Sequence, residues 1–219
     1  MRLKALVFDA YGTLFDVHSV IRLCDELWPG KGAALSQLWR TKQLEYTWQR
    51  SLMRGYKDFL QVTLDGLHYA CQALGVSVTE SQVKRLREAY LSLDTFPEVR
   101  DALRKLSGFQ LAILSNGAPS MLEPVVANAG LDGVFAAVIS VDPLKTYKPT
   151  PDVYGLAVER LGVAKEAIGF VSSNCWDACG AKSFGFHTFW INRTGAPVDK
   201  LDAAPDHVIR SLADLPGLV

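Results

Sequence analysis

Charge imbalance is absent from this sequence: its 219 residues carry 23 Lys plus Arg against 23 Asp plus Glu. A chain without a net field gives no reason to expect nucleic acid or an anionic membrane as a partner. Cysteine is sparse as well. Cys24, Cys71, Cys175 and Cys179 form no C-x-x-C pair and have no histidine at zinc-ligand spacing, so they read as reduced, buried thiols. Cys175 and Cys179 lie four apart, a spacing that suits packing on a helix better than ligation. The four histidines, His18, His68, His187 and His207, are scattered, and none accompanies a serine or cysteine nucleophile signature. Ser-His-Asp chemistry therefore has little support. No apolar run reaches membrane-spanning length, and Met1-Arg2-Leu3-Lys4 leads into a short apolar run without the h-region and cleavage site of a signal peptide. The expectation is a cytoplasmic protein that acts neither on nucleic acid nor in a membrane.

What the sequence does contain is an ordinary globular balance, 49% hydrophobic and 21% charged. Leu6-Val7-Phe8-Asp9 reads as a buried strand whose carboxylate emerges at the sheet edge, and the turn Ala10-Tyr11-Gly12-Thr13 follows. From about Val17 to Tyr90 apolar residues recur at helical spacing, broken at Gly30-Lys31-Gly32 and Gly55. This block reads as a helical insert of about four helices. Pro97 suits the first turn of a helix running to about 106. Strands near 109–114, 134–140, 168–172, 187–191 and 206–209 then alternate with helices near 120–129, 152–161 and 176–184. That alternation predicts an α/β fold: a Rossmann-like, doubly wound parallel sheet with an inserted helical cap. The core is expected over 1–14 and 94–219, with the cap at 15–93.

Four polar groups fall at the carboxyl ends of predicted strands: Asp9 with Thr13; Ser115-Asn116-Gly117; Lys148; and Ser172-Ser173-Asn174 with Asp177. Singly, each has an ordinary use as a cap, a turn residue or a solvated charge. Together they converge on the crevice where open α/β sheets bind ligands.

Phe8-Asp9-Ala10-Tyr11-Gly12-Thr13-Leu14, Leu114-Ser115-Asn116-Gly117, Lys148-Pro149 and Val171-Ser172-Ser173-Asn174-Cys175-Trp176-Asp177 resemble, in order, the four motifs of the haloacid dehalogenase superfamily. Most of its members are magnesium-dependent phosphatases. They carry a second aspartate two residues after the nucleophile and an acidic metal ligand in the last motif. This chain has Tyr11 and Ser173 at those places. Magnesium favours carboxylate and water oxygens, so the exchange leaves a poor magnesium site. It also removes the acid that would protonate an ester's leaving oxygen, which a departing halide does not need. The chain is therefore similar to the L-2-haloacid dehalogenases, which work without a metal or other cofactor.

That resemblance implies roles. Asp9 is the nucleophile, Lys148 keeps it ionised and Thr13 hydrogen-bonds it. Ser115 and the amides around Asn116 receive the substrate carboxylate, and Ser172 contributes to that network. Asp177 activates the hydrolytic water, and Asn174 places that water or contacts the halide. Arg40 in the cap receives the halide, beside an apolar patch of Tyr11, Leu44, Phe59 and Trp176. Arg40 and Leu44 share a helical face by their spacing. Tyr154 matches a position that supports the lysine. The partners implied are a halogenated carboxylate, the released halide and a second copy of the chain, since family members often dimerise through the cap. The Trp39 and Trp48 helix region suits either that interface or a buried core. A magnesium-dependent phosphatase or phosphonate-cleaving relative is the runner-up. A non-catalytic module that only holds a small carboxylate is the reading from another class.

Overall fold

The computed structural model describes residues 2–219. Ala-Leu-Val-Phe at the start forms β1 (Ala5–Phe8), and every one of its side chains is buried. Such two-sided burial requires a central place in the sheet. β2 (Gln110–Ser115) and β4 (Ile168–Ser172) flank it, in parallel, with Val7 opposite Ala112 on one side and Phe170 on the other. β3 (Ala137–Ser140), β5 (His187–Ile191) and β6 (His207–Ile209) complete the parallel order β3-β2-β1-β4-β5-β6. The chain moves outward from β1 to β3, then returns to the other side of β1 for β4. With right-handed crossovers, that reversal puts helices on both faces and opens a crevice at the carboxyl ends of β1 and β4. The fold is the expected α/β one.

Four helices lie between β1 and β2 in the expected insert: α1 (Ile21–Leu27), α2 (Gly32–Leu52), α3 (Phe59–Ala73) and α4 (Glu80–Tyr90). Asp58 and Thr79 cap α3 and α4 by accepting backbone N–H groups of Gln61 and Gln82. The crossover helices are α5 (Val99–Lys105), α6 (Pro119–Asn128), α7 (Pro151–Leu161) and α8 (Cys175–Phe184).

Two element starts differ from expectation by more than one residue. The strand expected from Val134 starts at Ala137, because Gly133 at φ +74° and the Val134 N–H bond to Leu131 O form a turn first. The helix after Pro97 starts at Val99, whose N–H closes a preceding turn onto Phe96 O.

Trp39 is internal: it packs on Tyr90 at 4.7 Å, and its indole N–H donates to Thr63 O at 2.7 Å. Trp48 meets Trp176 edge-to-face at 5.3 Å. The tryptophans thus join helices within the chain. Among the described residues no helix is long and apolar enough to cross a membrane.

Candidate active site

The central strand delivers Asp9 one residue past its last rung, and the Asp9 N–H still donates to Val171 O of β4 at 2.9 Å. The chain then turns sharply, with the N–H groups of Thr13, Leu14 and Phe15 all converging on Ala10 O. Gly12 takes φ +91° in this turn, and a Cβ there would stand 3.1 Å from Ser173 Oγ. Glycine alone meets both demands without strain.

Asp9 is buried, and each carboxylate oxygen has its own donors. Lys148 Nζ lies 3.1 Å from Oδ1. Thr13 Oγ1 stands 3.1 Å and Asn174 Nδ2 3.2 Å from Oδ2. Thr13 Oγ1 also accepts the Ser173 N–H at 2.9 Å, which fixes the hydroxyl against the β4 turn.

Lys148 is 1% exposed and bridges two carboxylates, with Asp177 Oδ2 at 2.9 Å on its other side. Burial alone would lower its affinity for a proton; attraction to Asp177 and then Asp9 reverses this and holds the ammonium above the usual lysine range. Its N–H donates to Asn116 Oδ1 at 3.0 Å, so the loop after β2 positions the lysine. Asp177 is held above the usual carboxylate range, mainly by burial and also by Asp9, against the opposing pull of Lys148.

Tyr154 meets the lysine's partner: its hydroxyl donates to Asp177 Oδ1 at 2.9 Å, while Lys148 rests on Oδ2 of the same carboxylate. The cause is the packing of α7 on α8: Gly180 lets the phenol approach where a Cβ would sit 2.5 Å from its oxygen.

Ser115 and Ser172 are fully buried, and both hydroxyl oxygens are engaged as turn acceptors. Ser115 Oγ takes the Gly117 N–H at 3.0 Å, and Ser172 Oγ takes the Asn174 N–H at 3.1 Å. The amide of Gly117 in the expected anion nest is therefore already satisfied, while the serine O–H groups remain as donors.

Beside the turn after Asp9 lies a cleft of about 490 Å³, lined by Gly12, Arg40, Leu44, Ser173, Asn174 and Trp176 among others; Asn174, which donates to Asp9, links the two. Arg40 Nη2 donates to Tyr11 O at 3.0 Å and Nη1 to Gln43 Oε1 at 2.6 Å, so α2 carries a cation onto the turn after Asp9. The expected apolar patch divides in two. Leu44 and Trp176 line the cleft; Tyr11 and Phe59 lie buried behind it with their rings 5.5 Å apart. The Tyr11 hydroxyl is buried without a hydrogen-bond partner.

Three contributors went unnoticed in the sequence. Gln43 is fully buried and passes the Arg40 contact on to Thr63 Oγ1 at 2.6 Å; its i+3 spacing from Arg40 was the available signal. Trp190 of β5 donates to Ser173 O at 3.0 Å. Arg193, just beyond β5, reaches Gly12 O and Thr13 O, pairs with Glu98 at 2.8 Å and stacks on Phe96. A cation at the carboxyl end of a fifth strand would have flagged it.

Residues 3–185, which hold all four strand-end groups, match the family model of the haloacid dehalogenase-like hydrolases. The chain belongs to that family. This haloacid dehalogenase-like hydrolase is 51% identical over 212 residues to an (S)-2-haloacid dehalogenase of Pseudomonas sp. strain YL, covering 96% of this chain and 91% of the relative. It superposes with a TM-score of 0.97 on the crystal structure of an L-2-haloacid dehalogenase at 48% identity, covering 100% and 99% of the two chains. A third similarity is to the L-2-haloacid dehalogenase of Xanthobacter autotrophicus with chloropropionic acid covalently bound. There the TM-score is 0.92 and the identity 44%, over 99% and 98% of the chains.

Proposed function

We propose that this chain hydrolyses the carbon–halogen bond of short L-2-haloacids to D-2-hydroxy acids, without a metal, using Asp9 as nucleophile. The observation that carries the reading is the buried Asp9 carboxylate, ion-paired to Lys148 and flanked by Thr13 and Asn174. Identity near one half to (S)-2-haloacid dehalogenases supports the substrate class.

In the first step an Asp9 oxygen attacks C2 opposite the halogen. The C–O bond forms as the carbon–halogen bond breaks, and the electron pair leaves with the halide. Arg40, with Leu44 and Trp176 beside it, receives that halide. Ser115 and Asn116 face the substrate carboxylate, Ser172 holds the turn carrying Asn174, and the unpaired Tyr11 hydroxyl is a donor in reserve.

In the second step Asp177, a stronger base for its burial, takes a proton from water, and the hydroxide attacks Cγ of the Asp9 ester. The acyl–oxygen bond breaks, the alkoxide takes the proton from Asp177, the regenerated Asp9 carboxyl group releases its own proton to water, and C2 is left inverted. Tyr154 orients Asp177, and Phe59 backs Tyr11.

The donor set does not fit magnesium. Lys148 Nζ occupies the space between Asp9 and Asp177, Tyr154 holds the other Asp177 oxygen, and Tyr11 and Ser173 supply no carboxylate. A divalent ion would have to displace a buried ammonium to reach its two acids.

The same proposal assigns residues 15–93 to a cap over a core of 1–14 and 94–219. It places the enzyme in the cytoplasm, where its four free buried cysteines stay reduced. It also includes a homodimer formed through the cap, which sedimentation tests.

The experiment is chloride release from each enantiomer of 2-chloropropionate with and without EDTA. The expected outcome is turnover of the L form alone, unchanged by chelator, with D-lactate as product; EDTA-sensitive turnover or a retained configuration overturns the reading.

A further inference from the structure

Two imidazoles meet at the sheet edge, remote from Asp9. His187 is the first residue of β5 and His207 the first of β6, the outermost strand. All strands are parallel, so these residues lie at the amino ends of their strands, whereas Asp9, Asn174 and Asp177 follow the carboxyl ends. The Nε2 atoms of the two rings are 3.1 Å apart. An ion bound at about 2.05 Å from each nitrogen would then subtend an N–ion–N angle of about 98°, between square and tetrahedral values. The ring centroids are 5.0 Å apart with the planes inclined at 64°, and the Nε2–Nε2 hydrogen bond is the contact that a bound ion would replace.

The rings are also held in place. Phe189, fully buried, stacks on His207 at an interplanar angle of 11° and meets His187 edge-on at 5.1 Å. Asp206 lies 3.6 Å from His187 Nδ1, so its carboxylate faces the nitrogen that would carry the proton once Nε2 ligates. Asp206 also pairs with Lys182, so that ammonium is neutralised beside the site. The His187 side chain is 37% exposed, enough for an ion to arrive with water. No third His, Cys, Asp or Glu among the described residues completes a cage, so water fills the remaining positions.

We propose that His187 and His207 form a two-imidazole site for a divalent first-row transition-metal ion, open to solvent and separate from the dehalogenation centre. Imidazole donors and the Irving–Williams order put Cu2+ ahead of Ni2+ and Zn2+, with Mg2+ not bound.

The test titrates CuCl2 and ZnCl2 into the full chain at pH 7.5 by calorimetry, with Cu2+ electron paramagnetic resonance as the second readout. The result expected is one saturable site with hyperfine splitting from two imidazole nitrogens. His187→Gln and His207→Gln should each weaken Cu2+ binding at least tenfold while chloride release stays unchanged. Absence of saturable binding, a one-imidazole signature, or binding untouched by either substitution would overturn the site.

Discussion

Lys148 holds two carboxylates that would otherwise repel each other inside the protein. Lys148→Met removes that cation and leaves two buried acids unpaired, at a cost of about 3–5 kcal/mol. The expected outcome is a lower denaturation midpoint together with chloride release at least a thousandfold slower. Asp9→Asn keeps the shape and the Thr13 contact but removes the attacking charge. Halide release should be abolished while near-ultraviolet circular dichroism is retained; residual single-turnover release would reject Asp9 as nucleophile. Much at this scale was legible in the sequence because chemistry restricts the residue types: a carboxylate, a lysine and a second carboxylate at strand ends announce themselves. What was not legible is which group touches which. Tyr154 reaches Asp177 through space that Gly180 leaves clear, and nothing local to Tyr154 encodes that contact.

Among the elements, β6 is the least secured by length, with three residues on the sheet edge. Asp206, at its start, accepts the Thr188 N–H at 2.8 Å and pairs with Lys182, and so pins β6 to β5. Burial alone would raise its pKa, but the Lys182 and Thr188 bonds outweigh that and hold it below the usual carboxylate range. A depressed folded pKa contributes stability that is present above the unfolded value, about 3.9, and is lost as pH falls through the folded one. Asp206→Asn should therefore lower the melting temperature at pH 7 and flatten its decline below pH 4; a parallel, undiminished acid decline would exclude Asp206 from that dependence. The alternating strand and helix rhythm was readable because each element carries its own periodicity. The ends at Val134 and Pro97 were not, since glycine dihedrals and turn hydrogen bonds set them.

Over the whole molecule, the helices inserted between β1 and β2 reach the strand-end loops through directed contacts such as Arg40 to Tyr11 O, Tyr56 to Asp142 and Tyr147 to Lys57 O. Arg40→Lys keeps the charge but loses the fork that serves Tyr11 and Gln43 at once. It should lower kcat/KM for L-2-chloropropionate at least tenfold with little change in melting temperature; a large loss of stability instead would make Arg40 a structural strut. The reach of α2 over the turn after β1 could be placed in sequence only by family likeness, because a helical charge pattern does not say what it faces.

The strand that comes first in this sequence occupies the middle of the sheet, and its partners lie more than one hundred residues further along. Asp9 meets Lys148 across 139 positions and Asn174 across 165. The polar surroundings of Asp9 are thus complete only once residues 148 and 174 have joined the fold. Recovery of chloride release during refolding should accordingly coincide with the last structural phase.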